Sequence, residues 1–179
     1  MVGVNTRRPR IFVRELNSAD GDVLDAVFAG LSLHSRHMRF HSPIPRMTPA
    51  VRRTLADVDG RDHIALGAFA GRRCEPVGLV RLISTGDGRA ELAVEVVDAW
   101  HGLGIGTRLL RAVKQRAVEL GYRELVAEVL TENRVVQAVL CSVFPGATTR
   151  HRDIEITLIL PVLDTVEIDI SDLMADLVA

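Results

Sequence analysis

The chain has 179 residues, with 22 basic and 23 acidic side chains and a formal net charge of −1. This length fits a single domain that folds without a disulfide or a metal, and the charge balance excludes a nucleic-acid binder that works by bulk electrostatics. The two cysteines, Cys74 and Cys141, are too few for a disulfide scaffold, so we expect free thiols. Residues 1–10 lack the apolar run of a signal peptide, and the longest apolar run, 156–163, is far shorter than the roughly 20 residues of a bilayer span. We therefore expect a soluble, cytoplasmic protein.

The first half of the chain predicts two helices and four strands. Residue spacing indicates a strand, a helix after a Ser18 cap, a loop rich in His, Arg and Pro, and a short helix opened by Thr48 and Pro49. Three strand-like runs separated by turns then predict an antiparallel meander. These elements are 10–16, 18–31, 34–49, 48–55, 63–70, 76–84 and 89–97.

The second half alternates helices with strands. A glycine-rich loop leads into a helix, which is followed by a strand, a second helix and a last strand. These elements are 102–106, 107–120, 122–130, 132–143 and 154–162. The order predicts an α/β domain over residues 1–163, built around a mixed sheet. Residues 164–179 are acidic and amphipathic and are interpreted as a C-terminal extension that forms a strand, a short helix or a partner-binding arm.

Three alternate glycines, Gly102, Gly104 and Gly106, join a strand to a helix. Such a loop lets backbone N–H groups at the start of the helix approach an anion, which favours a phosphate site over an ordinary tight turn. A P-loop is excluded because no lysine precedes Thr107. A dinucleotide fold is disfavoured because the preceding strand carries Glu91 and Glu95 on one face, unlike a parallel strand covered on both faces.

The stretch 90–110 (AELAVEVVDAWHGLGIGTRLL) resembles the coenzyme A-binding motif of the GCN5-related N-acetyltransferases, the GNAT family. The family motif, Gln/Arg-x-x-Gly-x-Gly/Ala, maps onto residues 101–106 without a gap, and the element order over 10–162 also matches. The resemblance implies a GNAT-like mixed, largely antiparallel central sheet flanked by helices, with a splayed strand pair. It also implies acetyl transfer from acetyl-CoA to an amine, either a protein lysine or a small molecule.

The same resemblance implies which residues hold acetyl-CoA. The loop and helix start would bind the pyrophosphate, and the strand edge would pair with the pantetheine. The implied residues are Val94, Val96, His101, Gly102, Leu103, Gly104, Ile105, Gly106, Thr107, Arg108 and Asn133. His101 and Leu103 depart from the family pattern, and Arg108 or Arg111 would supply the charge that Leu103 lacks. No metal is expected.

Glu91 occupies the family position of a glutamate general base, and Glu95 is the second candidate. A shielded carboxylate has a raised pKa, which suits proton acceptance near neutral pH. The residue pattern alone favours two solvent-facing glutamates. Where many members have a tyrosine acid, seven residues after Asn133, this chain has Leu140. Ser142 or Cys141 could protonate the leaving thiolate, which can also leave unassisted, so no acid is assigned.

The segment Ser35-Arg36-His37-Met38-Arg39-Phe40 is similar to a stretch of the bacterial protein-lysine acetyltransferases, including those with cyclic-nucleotide domains. We expect the polar loop at 34–46 to help form the acceptor site, where it could suit an anionic substrate. His34, His37 and His41 have a spacing that could gather a metal, but solvated or substrate-lining histidines are favoured.

Two other function classes stay open beside the enzyme. The chain could be a non-catalytic acyl-CoA sensor or interaction module, since the family tyrosine is missing, or a nucleotide-dependent oxidoreductase. No nucleic-acid or membrane partner is expected. The protein is predicted to be a monomer or a homodimer formed by sheet pairing through residues 154–173.

Overall fold

The structure, a computed structural model, describes residues 9–163, which form one sheet with helices on both faces. The strands are β1 (Ile11–Glu15), β2 (His63–Ala70), β3 (Glu75–Gly86), β4 (Arg89–Val96), β5 (Glu124–Leu130), β6 (Thr148–Arg152) and β7 (Glu155–Pro161). The helices are α1 (Gly21–Ala29), α2 (Leu33–Phe40), α3 (Pro49–Ala56), α4 (Ile105–Glu119) and α5 (Arg134–Val143). The predicted C-terminal extension, and with it half of the predicted dimer segment, lies outside the described residues.

The sheet has the strand order β1-β2-β3-β4-β5-β7-β6. All neighbouring strands run antiparallel except β4 and β5, which run parallel. This confirms the predicted antiparallel meander and the mixed, largely antiparallel sheet. Residues Arg89–Glu91 pair with Glu124–Val126, and the pairing then ends although both strands continue. The two strands are therefore splayed beyond Glu91, as the family resemblance implied.

Side-chain alternation divides the core between the two faces of the sheet. On one face, α4 and α5 pack against alternate residues of the central strands, for example Leu92 and Leu125, in the larger hydrophobic cluster. On the other face, α1 packs against a smaller cluster that includes Ala65 and Leu79. None of the helices described within residues 9–163 has the length and apolar character needed to cross a membrane.

One prediction of local structure is wrong, and one strand was not predicted. Residues Leu33–Phe40 of the predicted loop form helix α2, and Thr148–Arg152 form strand β6. No residue of α2 is buried, and every residue of β6 is exposed. Neither segment therefore has the apolar periodicity from which a helix or strand is predicted. The helix begins instead at a Ser32 cap, whose hydroxyl accepts a hydrogen bond from Ser35 N.

His63 is the first residue of β2, and the fold disfavours the protonated form of its imidazole. Its Nε2 is buried with no hydrogen-bond partner in the described chain. Burial lowers the pKa of His63 below its ordinary value, and the Arg81 cation lowers the pKa further. The unfolded chain therefore binds a proton at this site at a higher pH than the folded chain does. This difference reduces the free energy of unfolding as pH falls below about 6.5.

We predict that His63→Gln flattens the pH dependence of stability. Between pH 7.5 and pH 5.5 the Tm of the unchanged protein should fall, and the fall should be smaller in the variant because the titrating group is gone. Differential scanning calorimetry at matched ionic strength checks this. His151→Gln, which changes an exposed histidine of β6, is the control and should keep the full pH dependence. An equal fall in all three proteins would contradict the assignment to His63.

Candidate active site

The open edge of β4 carries backbone groups that no strand of the sheet satisfies. Val97 N donates to Val77 O at 3.0 Å, so the pair Gly78 and Val96 is of the non-hydrogen-bonded type. Because the two pair types alternate along an antiparallel ladder, Val94 and Val96 direct their N–H and C=O groups away from β3. These groups point into the splay between β4 and β5. An extended ligand with amide groups can pair with them as an additional strand would.

The glycine loop places the start of α4 next to this edge. Gly102 and Gly104 have φ values of +73° and +76°, and a Cβ at either position would meet nothing within 4 Å. The loop therefore needs glycine for its backbone conformation and leaves open space above it. No side chain caps α4, so the N–H groups of its first turn, Ile105–Thr107, stay available at the positive end of the helix dipole. This arrangement suits a phosphate group.

The side chains around the loop do not form a simple cluster of positive charges. His101 Nε2 lies 2.8 Å from Val96 O, so the loop's own imidazole contacts the open edge. Leu103 is 42% exposed and apolar. Arg108 Nη1 donates to Ile11 O at 2.9 Å and is directed towards β1. Arg111 lines a separate open groove of about 380 Å³ on α4, together with Val118 and others.

Glu91 and Glu95 share one face of β4 but lie in different environments. Four residues of strand separate their Cα atoms by about 13 Å, so they do not share a proton. Glu91 lies where the splay begins; it is exposed, and its side chain has no hydrogen bond or ion pair with any described residue. The Glu95 side chain is 5% exposed, and its Oε2 accepts a hydrogen bond from Arg39 Nε at 2.5 Å.

A second guanidinium lies on the same face of the sheet as Glu95. Arg81 of β3 is 2% exposed, and its Nη1 donates to Leu55 O of α3 at 2.6 Å. Burial lowers the pKa of Arg81 from its ordinary value, and the negative charge of Glu95 opposes this shift. Glu95 is thus the one buried carboxylate among residues 9–163, and it compensates the charge of buried Arg81 while binding Arg39.

Helix α2 forms a wall beside the splay and is held there by polar contacts. At its start, Ser32 N donates to Asp98 Oδ1 at 3.2 Å. Burial raises the pKa of Asp98, but hydrogen bonds from Ser32 and Ser35 outweigh this and bring the pKa below its ordinary value. At its end, His41 Nδ1 lies 2.9 Å from Glu155 Oε1 of β7.

The structure also places other histidines and arginines of the predicted polar loop. His34 is exposed, and His37 Nε2 lies 3.9 Å from Glu132 Oε1. Within residues 9–163, no three His, Cys, Asp or Glu side chains are grouped as a metal would require. Arg36 donates to Pro45 O and Phe28 O, and Arg39 binds Glu95. Both arginines therefore serve contacts within the protein.

The residues after β5 do not supply an evident acid. Asn133 caps α5 by accepting a hydrogen bond from Val136 N at 3.3 Å. Leu140, at the family's tyrosine position, is 1% exposed and belongs to the hydrophobic core. Cys141 is an exposed free thiol, as is Cys74, and the Ser142 hydroxyl donates to Val139 O within α5.

Sequence reasoning missed Arg81 and Asp98 as residues that build the site, and it placed Arg39 near the acceptor without predicting its contact with Glu95. Each takes its role from a partner distant in sequence; Arg39 and Glu95, for example, are 56 positions apart. The available signal was Arg81 itself, a charged residue within an otherwise apolar strand, at 76–84. Such a residue indicates a buried partner.

Comparisons with known proteins agree with this geometry. The model of the acetyltransferase (GNAT) family matches residues 32–140. Acetyltransferase PA5475 of Pseudomonas aeruginosa is 27% identical over 135 residues, which are 74% of this chain and 73% of that protein. The GNAT domain of S. lividans PAT has a TM-score of 0.75 and 28% identity, covering 83% of this chain and 89% of that one. A cAMP-binding acyltransferase from Mycobacterium smegmatis shares the fold, with a TM-score of 0.59, 23% identity, and coverage of 89% and 46%.

We predict that Gly104→Ala lowers the free energy of unfolding by about 1–2 kcal/mol, because an alanine Cβ is sterically strained by about this amount in the left-handed backbone conformation of Gly104. Gly106→Ala is the matched control. Its Cβ would lie 3.8 Å from Val96 Cγ2, an ordinary contact within the first turn of α4. Urea denaturation should show no loss for Gly106→Ala. Equal losses in both variants would indicate that space, rather than backbone conformation, requires the glycines.

Proposed function

Because the chain belongs to the GNAT family of acetyltransferases, which transfer an acyl group from acyl-CoA, we propose that it moves the acetyl group of acetyl-CoA directly to a lysine side chain, with Glu91 as general base. The observation that carries this proposal is the open edge of β4, which ends at the uncapped start of α4. The likeness to the GNAT domain of S. lividans PAT and the Ser35–Phe40 stretch support a protein lysine as the acceptor.

The proposed co-substrate has two parts that match these two features. Its pyrophosphate suits the N–H groups of Ile105, Gly106 and Thr107. Its pantetheine arm carries amides that can pair with the backbone of Val96 as a short extra strand would, which leaves the Val94 N–H for the thioester carbonyl. The imidazole of His101 already lies 2.8 Å from Val96 O, so a pantetheine N–H would share that carbonyl with the imidazole or displace it. Asn133 is proposed to line the far side of the splay from the start of α5.

In the proposed reaction, Glu91 accepts a proton from the lysine ammonium, directly or through one water. The neutral nitrogen attacks the thioester carbonyl and forms the C–N bond. The resulting oxyanion is stabilised by the Val94 N–H, which points into the splay. The C–S bond then breaks, the second amine proton passes to solvent, and the coenzyme A thiolate leaves and is protonated from solvent. Glu91 is favoured over Glu95 because Glu95 is buried and bound to Arg39.

A ligand panel tests the proposal. Acetyl-CoA, a longer acyl-CoA and NAD are compared by thermal shift, and coenzyme A release is measured with a capped peptide that contains one lysine. A ligand at 100 times its Kd should stabilise the fold by about 2.7 kcal/mol. We expect acetyl-CoA to stabilise the protein and the peptide to release coenzyme A. Stabilisation without release to the peptide or to spermidine would support the non-catalytic module instead, and stabilisation by NAD alone would contradict the proposal.

We predict that Glu91→Gln lowers kcat by about 100-fold or more while the Kd of acetyl-CoA changes less than threefold, because a general base contributes about 10²–10⁴ in rate. Steady-state kinetics with the lysine peptide and calorimetry with acetyl-CoA measure the two effects. Glu119→Gln, a change at the far end of α4, is the control and should keep the full rate. A Glu91→Gln variant with an unchanged rate would exclude Glu91 as the base.

We also predict that Leu103→Arg tightens acetyl-CoA binding by about three- to tenfold at low salt, because it adds a positive charge beside the phosphate site. The gain should shrink as salt is raised. Val118→Arg is the matched control, because Val118 is 44% exposed, close to the 42% of Leu103, but lies near the other end of α4. Isothermal titration at two ionic strengths measures both. An equal gain in the control would indicate a general effect of net charge.

A further inference from the structure

We infer that Glu95 is a positioning residue, which holds helix α2 beside the splay through Arg39 and thereby shapes the site of the amine acceptor. The role of Glu95 in shaping the acceptor site rests on the proposed function. The contact by which Glu95 holds α2 rests on the geometry alone. The inference gives different roles to Glu91 and Glu95, which share one face of β4 and which the residue pattern alone does not distinguish.

The contact is better shielded than other ion pairs of the described chain. The Glu95 and Arg39 side chains are 5% and 18% exposed, whereas Arg52 and Asp25, which join α3 to α1, are 44% and 48% exposed. A shielded pair is little screened by salt, and removing one partner leaves a buried charge without compensation. Breaking the pair between Glu95 and Arg39 should therefore have a larger effect than breaking an exposed pair.

Helix α2 is held mainly by polar contacts, since none of its residues is buried. Its other anchors are a backbone contact to Asp98 at the first turn, the Arg36 hydrogen bonds to Phe28 O and Pro45 O, the Phe40 ring against Phe28, and histidine contacts to Glu132 and Glu155. Arg39 is the one residue of α2 that forms an ion pair with β4 among the described contacts. It lies in the last turn, so it fixes the end of the helix that lies opposite the Asp98 contact.

Arg81 explains why position 95 carries a carboxylate. The Arg81 guanidinium holds α3 through Leu55 O, while its Nε has no hydrogen-bond partner among the described residues. The charge of Glu95 offsets the burial of this cation, as the opposing effect on the Arg81 pKa indicates. One carboxylate thus serves β3 and α2 together. The Glu91 side chain, four residues away, forms no ion pair with any described residue.

The test uses Glu95→Gln, Arg39→Met and the double variant in the full chain, with Arg52→Met and Asp25→Asn as matched controls from the exposed pair. Hydrogen exchange is measured over α2, acetyl-CoA binding by calorimetry, and kinetics with the single-lysine peptide from pH 6 to pH 9. Both single variants should speed exchange in α2 by about tenfold and raise the peptide KM by about tenfold. The Kd of acetyl-CoA and the acid limb of the kcat profile should stay as they are.

The double variant should be no worse than the more impaired single variant, and Arg39→Lys should restore part of the loss, because both partners serve one contact. If neither single variant changes exchange in α2, the inference is wrong. It is also overturned if Glu95→Gln removes the acid limb of the kcat profile while Arg39→Met keeps it, since Glu95 would then be the base. If Glu95→Gln does not fold, the double variant and Arg39→Lys decide the matter through exchange in α2.

If the unchanged protein transfers no acetyl group to the peptide, the proposed acceptor is wrong. The exchange experiment needs no acceptor and still decides whether the pair holds α2. The two failures are therefore distinguishable.

Discussion

Backbone N–H and C=O groups of a strand that no neighbouring strand pairs must find other hydrogen-bond partners. This requirement determines how the candidate site is built. The parallel pairing of β4 with β5 ends at Glu91, so Val94 and Val96 are left with groups that face the splay. A parallel pair also needs a crossover connection, and here α4 supplies it. The start of α4 must then lie at the end of β4. One feature of the sheet thus brings together a strand edge for amides and a helix start for an anion.

Different helices are held on the sheet by different forces. Under α4 and α5, stability comes from apolar burial, with side chains such as Leu109 and Phe144 fully enclosed. On the opposite face, α2 is held by hydrogen bonds and ion pairs, including the one between Arg39 and Glu95. A helix with few buried apolar contacts opens at a lower free-energy cost than the core does. The wall beside the reaction face is therefore easier to displace than the sheet that carries Glu91.

Regular apolar patterning allowed most of the sheet to be predicted from the sequence. Helix α2 and strand β6 were not predicted because they lack such patterning. The antiparallel meander and the glycine loop could be predicted because alternation and glycine spacing are local properties. Helix α2 could not, since its side chains contact charges on other strands rather than a core. Within residues 9–163, strand β6 pairs only with β7, at the sheet edge, and is exposed throughout. The distinction between Glu91 and Glu95 depends on Arg39, which joins Glu95 only through the fold.

The contact between His101 and Val96 changes how binding at the open edge should be understood. Val96 O can only accept, so the imidazole must carry its proton on Nε2, in the neutral or the charged ring. A carbonyl oxygen has two lone pairs, so a pantetheine N–H that reaches Val96 O either joins the imidazole there or displaces it. In both cases the gain is smaller than at a carbonyl with no other donor, because Val96 O already accepts one hydrogen bond. The departure at His101 therefore acts on the strand edge, in addition to any effect on the phosphates.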